Sequence, residues 1–388
     1  MSIDTVAADM DYAGTFSLIG AEIDQAWKQR NYDPGCFPEI AEAAAARVPA
    51  VELDELLIGH HQLLVLSYKF SDFDVRIFSN DRFRIEILVW LGGSTSIHQH
   101  SFSGAFSVLR GRSVHVEYEF DLRTEIQQEL SIGDLTPRGS EILEAGDVRR
   151  IHSGSRFIHA NFHITHPTVT MVIRTHQDRG SGPQLNYLPP YVAIDPTIDQ
   201  DRRARQRRLI EVLARTGSPE LVRRGAESLW PTRPSVAQTL DFLKMPAVVG
   251  DPELHSRSLD RAADLHPELS DELAAVSREE LRRLKTRLLL PRVTGEEQQL
   301  FVALLLNLTR SQDILTHLER EFIGEAPAAA ATRLLVELSS AGHLPAIPAR
   351  SQQSLREVIA GDVGPETYPE LSEITGSTVL RHLFHDSV

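Results

Sequence analysis

The pattern of apolar and polar positions changes period twice along the chain. Over residues 1–60, Phe16, Ile19, Ile23 and Trp27 recur near i, i+3, i+7 and i+11, which predicts a helix with one apolar stripe. The alanine-rich run from Ile40 to Val48 predicts a second, short helix. Over residues 61–177 the period falls to two. Val114, Val116, Tyr118 and Phe120 alternate with His115, Glu117 and Glu119, and Phe83, Ile85 and Ile87 alternate with Arg84 and Glu86. Ser79-Asn80-Asp81-Arg82 between two such runs predicts a hairpin turn. Short strands punctuated by glycine predict a sandwich or barrel. Residues 178–200, with Gly180-Ser181-Gly182-Pro183 and Pro189-Pro190, break any regular pattern and are expected to form a linker. Residues 201–388 are helical in pattern. Leu300, Leu304, Leu308 and Leu315 mark one strongly apolar helix, and Leu334, Leu335 and Leu338 mark another. The expectation is an α+β multidomain chain: N-terminal helices, a β-barrel, a linker and an all-α C-terminal domain.

Composition narrows the function classes. The chain has 388 residues and a formal net charge of −14, which argues against nucleic acid and anionic membranes as partners. A single cysteine, Cys36, excludes a disulfide scaffold and a cysteine-based zinc site. With no long apolar run and no basic leader followed by an apolar stretch, the expectation is a cytoplasmic protein.

Histidine is the chemically distinctive resource. His98 and His100 sit at i and i+2 in Gly92-Gly-Ser-Thr-Ser-Ile-His98-Gln-His100, so in a strand both point to one face. A third imidazole is expected from Phe157-Ile-His159-Ala-Asn161-Phe-His163-Ile164, where alternation places His159, Asn161 and His163 opposite an apolar face, inside a barrel. Three neutral imidazoles on one side leave coordination positions open on the other, which suits Fe(II) with O2, or zinc with water. Thr95, Asn161 and His163 are candidate hydrogen-bond partners for the ligands' outer nitrogens. His115, His152, His166 and His176 are expected to be structural or surface residues.

This segment resembles the first cupin motif, Gly-x5-His-x-His-x3/4-Glu-x6-Gly, with Gly92, His98, His100 and Gly111 in place. Gly104 or Ala105 stands where the motif has glutamate, so the acidic ligand is missing. That loss, together with Glu86 to Trp90 and Val108 to Gly111, is similar to the cysteine dioxygenase group of thiol dioxygenases. The second cupin motif is matched more loosely, through Gly146, Gly154 and His159. The likeness covers about residues 65–176 and implies a double-stranded β-helix, or jelly-roll-like barrel.

The resemblance implies an Fe(II) site of His98, His100 and His159, and an arginine on an early strand, here Arg76, that grips a substrate carboxylate. The family's Ser-x-His-x-Tyr strand is replaced by Thr170-x-Val172-x-Arg174, and the cysteine that can join that tyrosine is Ala105. Arg76 and Arg174 together suit a small anionic thiol or carboxylate and place free cysteine in doubt; His163 is a further candidate catalytic group. The leading reading is a non-heme iron dioxygenase using O2. The alternatives are a zinc, nickel or manganese cupin with isomerase or hydrolase-like chemistry, and a metal- or ligand-sensing cupin. The helical domain is expected to cap the barrel mouth, to form a homodimer or to bind a protein partner.

Overall fold

A computed structural model describes residues 12–48, 71–127, 130–197, 200–230 and 234–385. The expected boundary between the N-terminal helices and the barrel, at residues 60 and 61, lies outside the described residues.

The predicted N-terminal helices are α1 (Tyr12–Gln29) and α2 (Phe37–Ala45). The stripe on α1 buries Phe16, Ile23 and Trp27, and α2 buries Phe37, Ala41, Ala44 and Ala45 beside them. The strands follow as β1 (Phe73–Ser79), β2 (Phe83–Trp90), β3 (Ile97–His100), β4 (Gly104–Arg110), β5 (Ser113–Gln127), β6 (Leu130–Leu143), β7 (Val148–Ile151), β8 (Gly154–His163), β9 (Thr168–Thr175), β10 (Asn186–Leu188) and β11 (Val192–Ile194). The predicted hairpin joins β1 to β2, with the Asn80 side chain accepting from the Arg82 and Phe83 amides at 2.9 and 3.0 Å.

One sheet has the order β1-β2-β9-β4-β7. The other runs β10-β11-β6-β5-β8-β3, and β3 pairs again with β10, so the ring closes. Neighbouring strands in both are antiparallel. Together they form a double-stranded β-helix.

The segment expected to be a linker is part of this barrel. β10 pairs Tyr187 with Ile97, and β11 pairs Ala193 with Ser131. Each strand is three residues long, too short for alternation to register, and the glycine and proline signals around them are turns that bound strands.

Both sheets are covered by helices, which explains the direction of the alternation. On β2 and β9, Phe83, Ile85, Ile87, Val89, Val169, Met171 and Ile173 face α1 and α2. Arg84, Glu86, Leu88, Trp90, Thr170, Val172 and Arg174 therefore face the interior, where they line one cavity. On the second sheet Val114, Val116, Tyr118, Ile158, Ala160 and Phe162 face outward into a core shared with the C-terminal helices. His159, Asn161 and His163 are left facing inward.

The C-terminal half consists of α3 (Gln200–Thr216), α4 (Pro219–Leu229), α5 (Val236–Leu243), α6 (Pro246–Val249), α7 (Pro252–Leu265), α8 (Ser270–Arg287), α9 (Glu296–Asn307), α10 (Ser311–Glu321), α11 (Pro327–Ser340), α12 (Gln352–Ala360), α13 (Ser372–Thr375) and α14 (Arg381–Phe384). Helix α9 is buried on every side from Leu300 to Asn307, between β5 and α11. Its last carbonyls are satisfied by guanidinium groups: Arg282 donates to Leu305 and Leu306, and Arg283 donates to Leu306. Leu304 is fully buried in this shared core. Leu304→Ala is expected to cost about 2–5 kcal/mol, measured as a lowered urea midpoint, with β-sheet and helix signals lost together because the core belongs to both halves. An unchanged midpoint would mean that α9 does not bear on the barrel. Among the described residues, no helix is long and apolar enough to cross a membrane.

Candidate metal centre

Strands β3 and β8 bring the candidate ligands together. His98 on β3 lies opposite His159 on β8, and a register shift separates His98 from His100. One nitrogen from each of His98, His100 and His159 lies within 4.8 Å of one from each of the others. All three rings are buried.

The position where the motif's glutamate would stand is closed to a carboxylate. A Cβ on Gly104 would meet the Ile173 carbonyl oxygen at 2.0 Å, so β4 can approach β9 only with glycine there. Ala105 is fully buried against the N-terminal helices, on the opposite face of the strand. The donor set is therefore all imidazole.

Protonation and orientation suit metal binding. Burial lowers the pKa of His98 to about 4, against a weaker opposing effect from its hydrogen bond to Ser96. Burial, with the neighbouring imidazoles adding to it, pushes His100 and His159 well below the ordinary histidine range. All three are uncharged at neutral pH and offer a lone pair. The His98 Nδ1 donates to the Ser96 carbonyl at 2.8 Å, which leaves its Nε2 as the lone-pair atom. The Nε2 atoms of His100 and His159 are 2.9 Å apart, close to the ~3 Å expected for adjacent nitrogens on one ion with bonds of about 2.1 Å. The structure thus fits a single metal ion held by His98, His100 and His159.

The expected outer partners are replaced by others. Thr95 and Asn161 bond to each other through the Asn161 backbone, the amide donating to the Thr95 hydroxyl at 2.9 Å, and so tie the approach to β3 onto β8. His163 meets the Ser113 hydroxyl through Nδ1 at 2.9 Å and stacks on Trp90. The partner of His159 is His115, whose Nε2 lies 3.1 Å from the His159 Nδ1. His115 is 1% exposed, so it is not a surface residue. Sequence alternation put His115 on the inner face of β5, but only the pairing of β5 with β8, which sets His115 opposite Asn161 and diagonal to His159, brings the two rings together. His166 and His176 are exposed as expected, and His152 is half-buried.

The imidazoles form part of a cavity of about 170 Å³, the space of a small metabolite. Its lining runs from Asp74 to Gln184, so among the described residues the helical half contributes no lid. That half covers the outside of the second sheet, because the apolar outward faces of β5 and β8 need a cover. Across the cavity, Glu86 holds three guanidiniums: Arg84 at 3.0 Å, Arg174 at 2.9 Å and Arg76 at 3.3 Å. Arg84 and Arg174 line the cavity. Arg76 is not among the lining residues; it reaches Glu86 from β1. Arg174 also lies 4.0 Å over the Phe102 ring, which packs on His100. Sequence reasoning missed Arg84, whose signal was its alternation with Phe83 and Ile85. His163 lines the same cavity, its Nε2 buried without a hydrogen-bond partner, and burial lowers its pKa to about 3.

No protein-family profile matches the chain, and a search of curated proteins finds no match. Solved structures with a similar fold include a hydroquinone 1,2-dioxygenase from Sphingomonas sp. TTNP3 with 4-hydroxybenzoate bound, at 10% identity over 28% of this chain and 68% of that one, with a TM-score of 0.21. The DMSP lyase DddQ from Ruegeria pomeroyi DSS-3 shares 14% identity over 46% of this chain and 98% of that one, with a TM-score of 0.26. A recombinant oxalate oxidase in complex with glycolate shares 17% identity over 24% of this chain and 42% of that one, with a TM-score of 0.17. At scores this low, these likenesses carry no information about the reaction.

Proposed function

We propose that this chain is a mononuclear non-heme iron(II) oxygenase in which His98, His100 and His159 hold the metal and a small anionic thiol or carboxylate is oxidised with O2. The observation that carries the reading is the opposition of two walls in one cavity. Three buried, uncharged imidazoles converge on one side, and Arg84 and Arg174 stand on the other. A neutral three-nitrogen donor set leaves the charge of a metal ion uncompensated, which favours an anionic ligand. Iron(II), when bound, supplies the redox chemistry that couples such a ligand to O2.

The chain's own residues do the rest. Arg84 and Arg174 stand beside Glu86 and Asp74 on this wall, and Arg76 adds a third guanidinium to Glu86 from outside the lining. Glu86 and the Phe102 ring hold Arg174 in place, so little is left to order when a carboxylate binds. Leu88, Phe102, Phe106 and Val172 keep the cavity apolar around its charged groups. His163 presents a neutral imidazole nitrogen to the cavity as a hydrogen-bonding group for a bound ligand. The Thr170 hydroxyl accepts from the Trp90 indole at 3.0 Å, which holds that wall in register.

The test is metal content and O2 uptake on anaerobically purified protein, with a panel of small thiols and carboxylates. Iron at about one ion per chain, with O2 consumption triggered by panel members, is the expected result. Stoichiometric zinc or nickel without O2 uptake would overturn the oxygenase reading in favour of an isomerase or a sensor. A metal-free protein that binds none of these ions would make the histidine frame structural.

A further inference from the structure

We propose that Arg149, Glu141 and His115 form a relay that holds His159 in its metal-binding tautomer and sets how tightly it binds, an inference that rests on His159 being a ligand. The relay is a continuous line of hydrogen bonds. Arg149 Nε donates to Glu141 Oε1 at 2.7 Å, with a second, shorter contact from its Nη2 to Oε2. Glu141 Oε1 lies 3.0 Å from His115 Nδ1, and His115 Nε2 lies 3.1 Å from His159 Nδ1.

Proton accounting admits one arrangement in which His159 can ligate. An ionised carboxylate only accepts, so His115 Nδ1 donates to Glu141. A second proton on His115 would make its Nε2 a donor to His159 Nδ1 and leave the His159 proton on Nε2, so ligation by His159 requires that His115 Nε2 accept and His159 Nδ1 donate to it. The lone pair of His159 then lies on Nε2, the atom that faces His100 Nε2 at 2.9 Å. Burial raises the Glu141 carboxyl, but hydrogen bonds from Arg149 and His115 outweigh it and hold its pKa down at about 2, so the anchor is ionised at neutral pH.

Strand register builds the relay. Glu141 lies directly opposite His115 on β6, and β8 pairs on the other side of β5. Arg149 comes from β7, in the other sheet, so its ion pair also ties the two sheets. The Glu141 and Arg149 side chains are 36% and 32% exposed, whereas that of His115 is 1% exposed. The line therefore runs from solvent to the metal position. His98 has a backbone carbonyl in the equivalent role, and the His100 Nδ1 has no hydrogen-bond partner. A charge change at Glu141 thus reaches the cluster through His159.

The experiment titrates Co(II) into chelator-stripped wild-type protein and into Glu141→Gln, His115→Gln and His115→Phe. Affinity is read by chelator competition and ligand field by visible spectra, with the thermal midpoint of the metal-free proteins as the structural control. Loss of an outer hydrogen-bond partner is expected to weaken binding by about 10–100-fold. His115→Phe should fall at the upper end and Glu141→Gln at the lower. His115→Gln should lie between them, since its amide oxygen can still accept from His159. The Co(II) bands should shift while the metal-free midpoints stay close to wild type. Co(II) affinity within twofold of wild type in folded His115→Phe and Glu141→Gln would overturn the relay. If His115→Phe does not fold, Glu141→Gln decides, because it preserves volume. Folded wild-type protein that binds no Co(II) would overturn the metal reading itself, and the relay with it.

Discussion

Alanine in place of His98, His100 or His159, one at a time, is expected to abolish stoichiometric metal binding. Each loss should exceed the roughly 10–100-fold effect of removing an outer partner. The three side chains are interdependent through geometry. His98 and His100 share one short strand, and His159 joins them only because β8 pairs beside it. Removing one leaves two nitrogens, and Gly104, pressed against the backbone of β9, has no room for a carboxylate in its place. The contrast set is His166→Ala and His176→Ala, both exposed, which should keep the full metal content. Metal analysis after dialysis against a chelator buffer, with circular dichroism to confirm folding, checks the result. A folded His159→Ala protein that still carries one ion per chain would remove His159 from the ligand set. It would also leave His115 and Glu141 without a metal-directed role.

Much of this site could be read from alternation alone, because both walls are strands. The i, i+2 spacing of His98 and His100 and the inward run of His159, Asn161 and His163 needed only the two-residue period. What that period cannot give is which strand lies beside which. His115 carries the same signal as Glu117 until β5 is placed between β6 and β8. The arginine wall shows the same limit. Resemblance pointed to Arg76 on β1, yet Arg84, the next strand's inward residue, lines the cavity, and Arg76 meets it only through Glu86. β10 and β11 were lost among glycine and proline signals because a three-residue strand has no period to detect. The apolar run at Leu300 to Leu308 was legible as core, but its partner surface, the outward face of β5, was not. Each miss concerns a contact between elements distant in sequence, while the elements themselves were largely visible.

The same burial that keeps the imidazoles neutral should make the metal-free protein sensitive to acid. His98 has its pKa lowered to about 4 and His163 to about 3, in both cases mainly by burial, from an ordinary value near 6.5. The unfolded chain therefore takes up these protons first as pH falls. For a group depressed in the folded state, the stabilisation is complete above about pH 6.5 and is lost as pH falls toward the folded value. Between pH 7.5 and 5 each of the two groups is expected to cost about 2 kcal/mol, or about 4 kcal/mol together. His100 and His159 are shifted in the same direction and deepen the loss. Urea unfolding of chelator-treated protein across this range should show a plateau above about pH 7 and a steep fall below 6. Loading with zinc should hold the plateau to lower pH, because protons must then displace the metal before they reach the ligands. His163→Phe, which preserves the stack on Trp90, should remove about 2 kcal/mol of the acid sensitivity and leave metal binding intact. A flat profile from pH 7.5 to 5 in metal-free protein would mean that these rings are hydrated in solution, and the case for a preformed, uncharged donor set would fall with it.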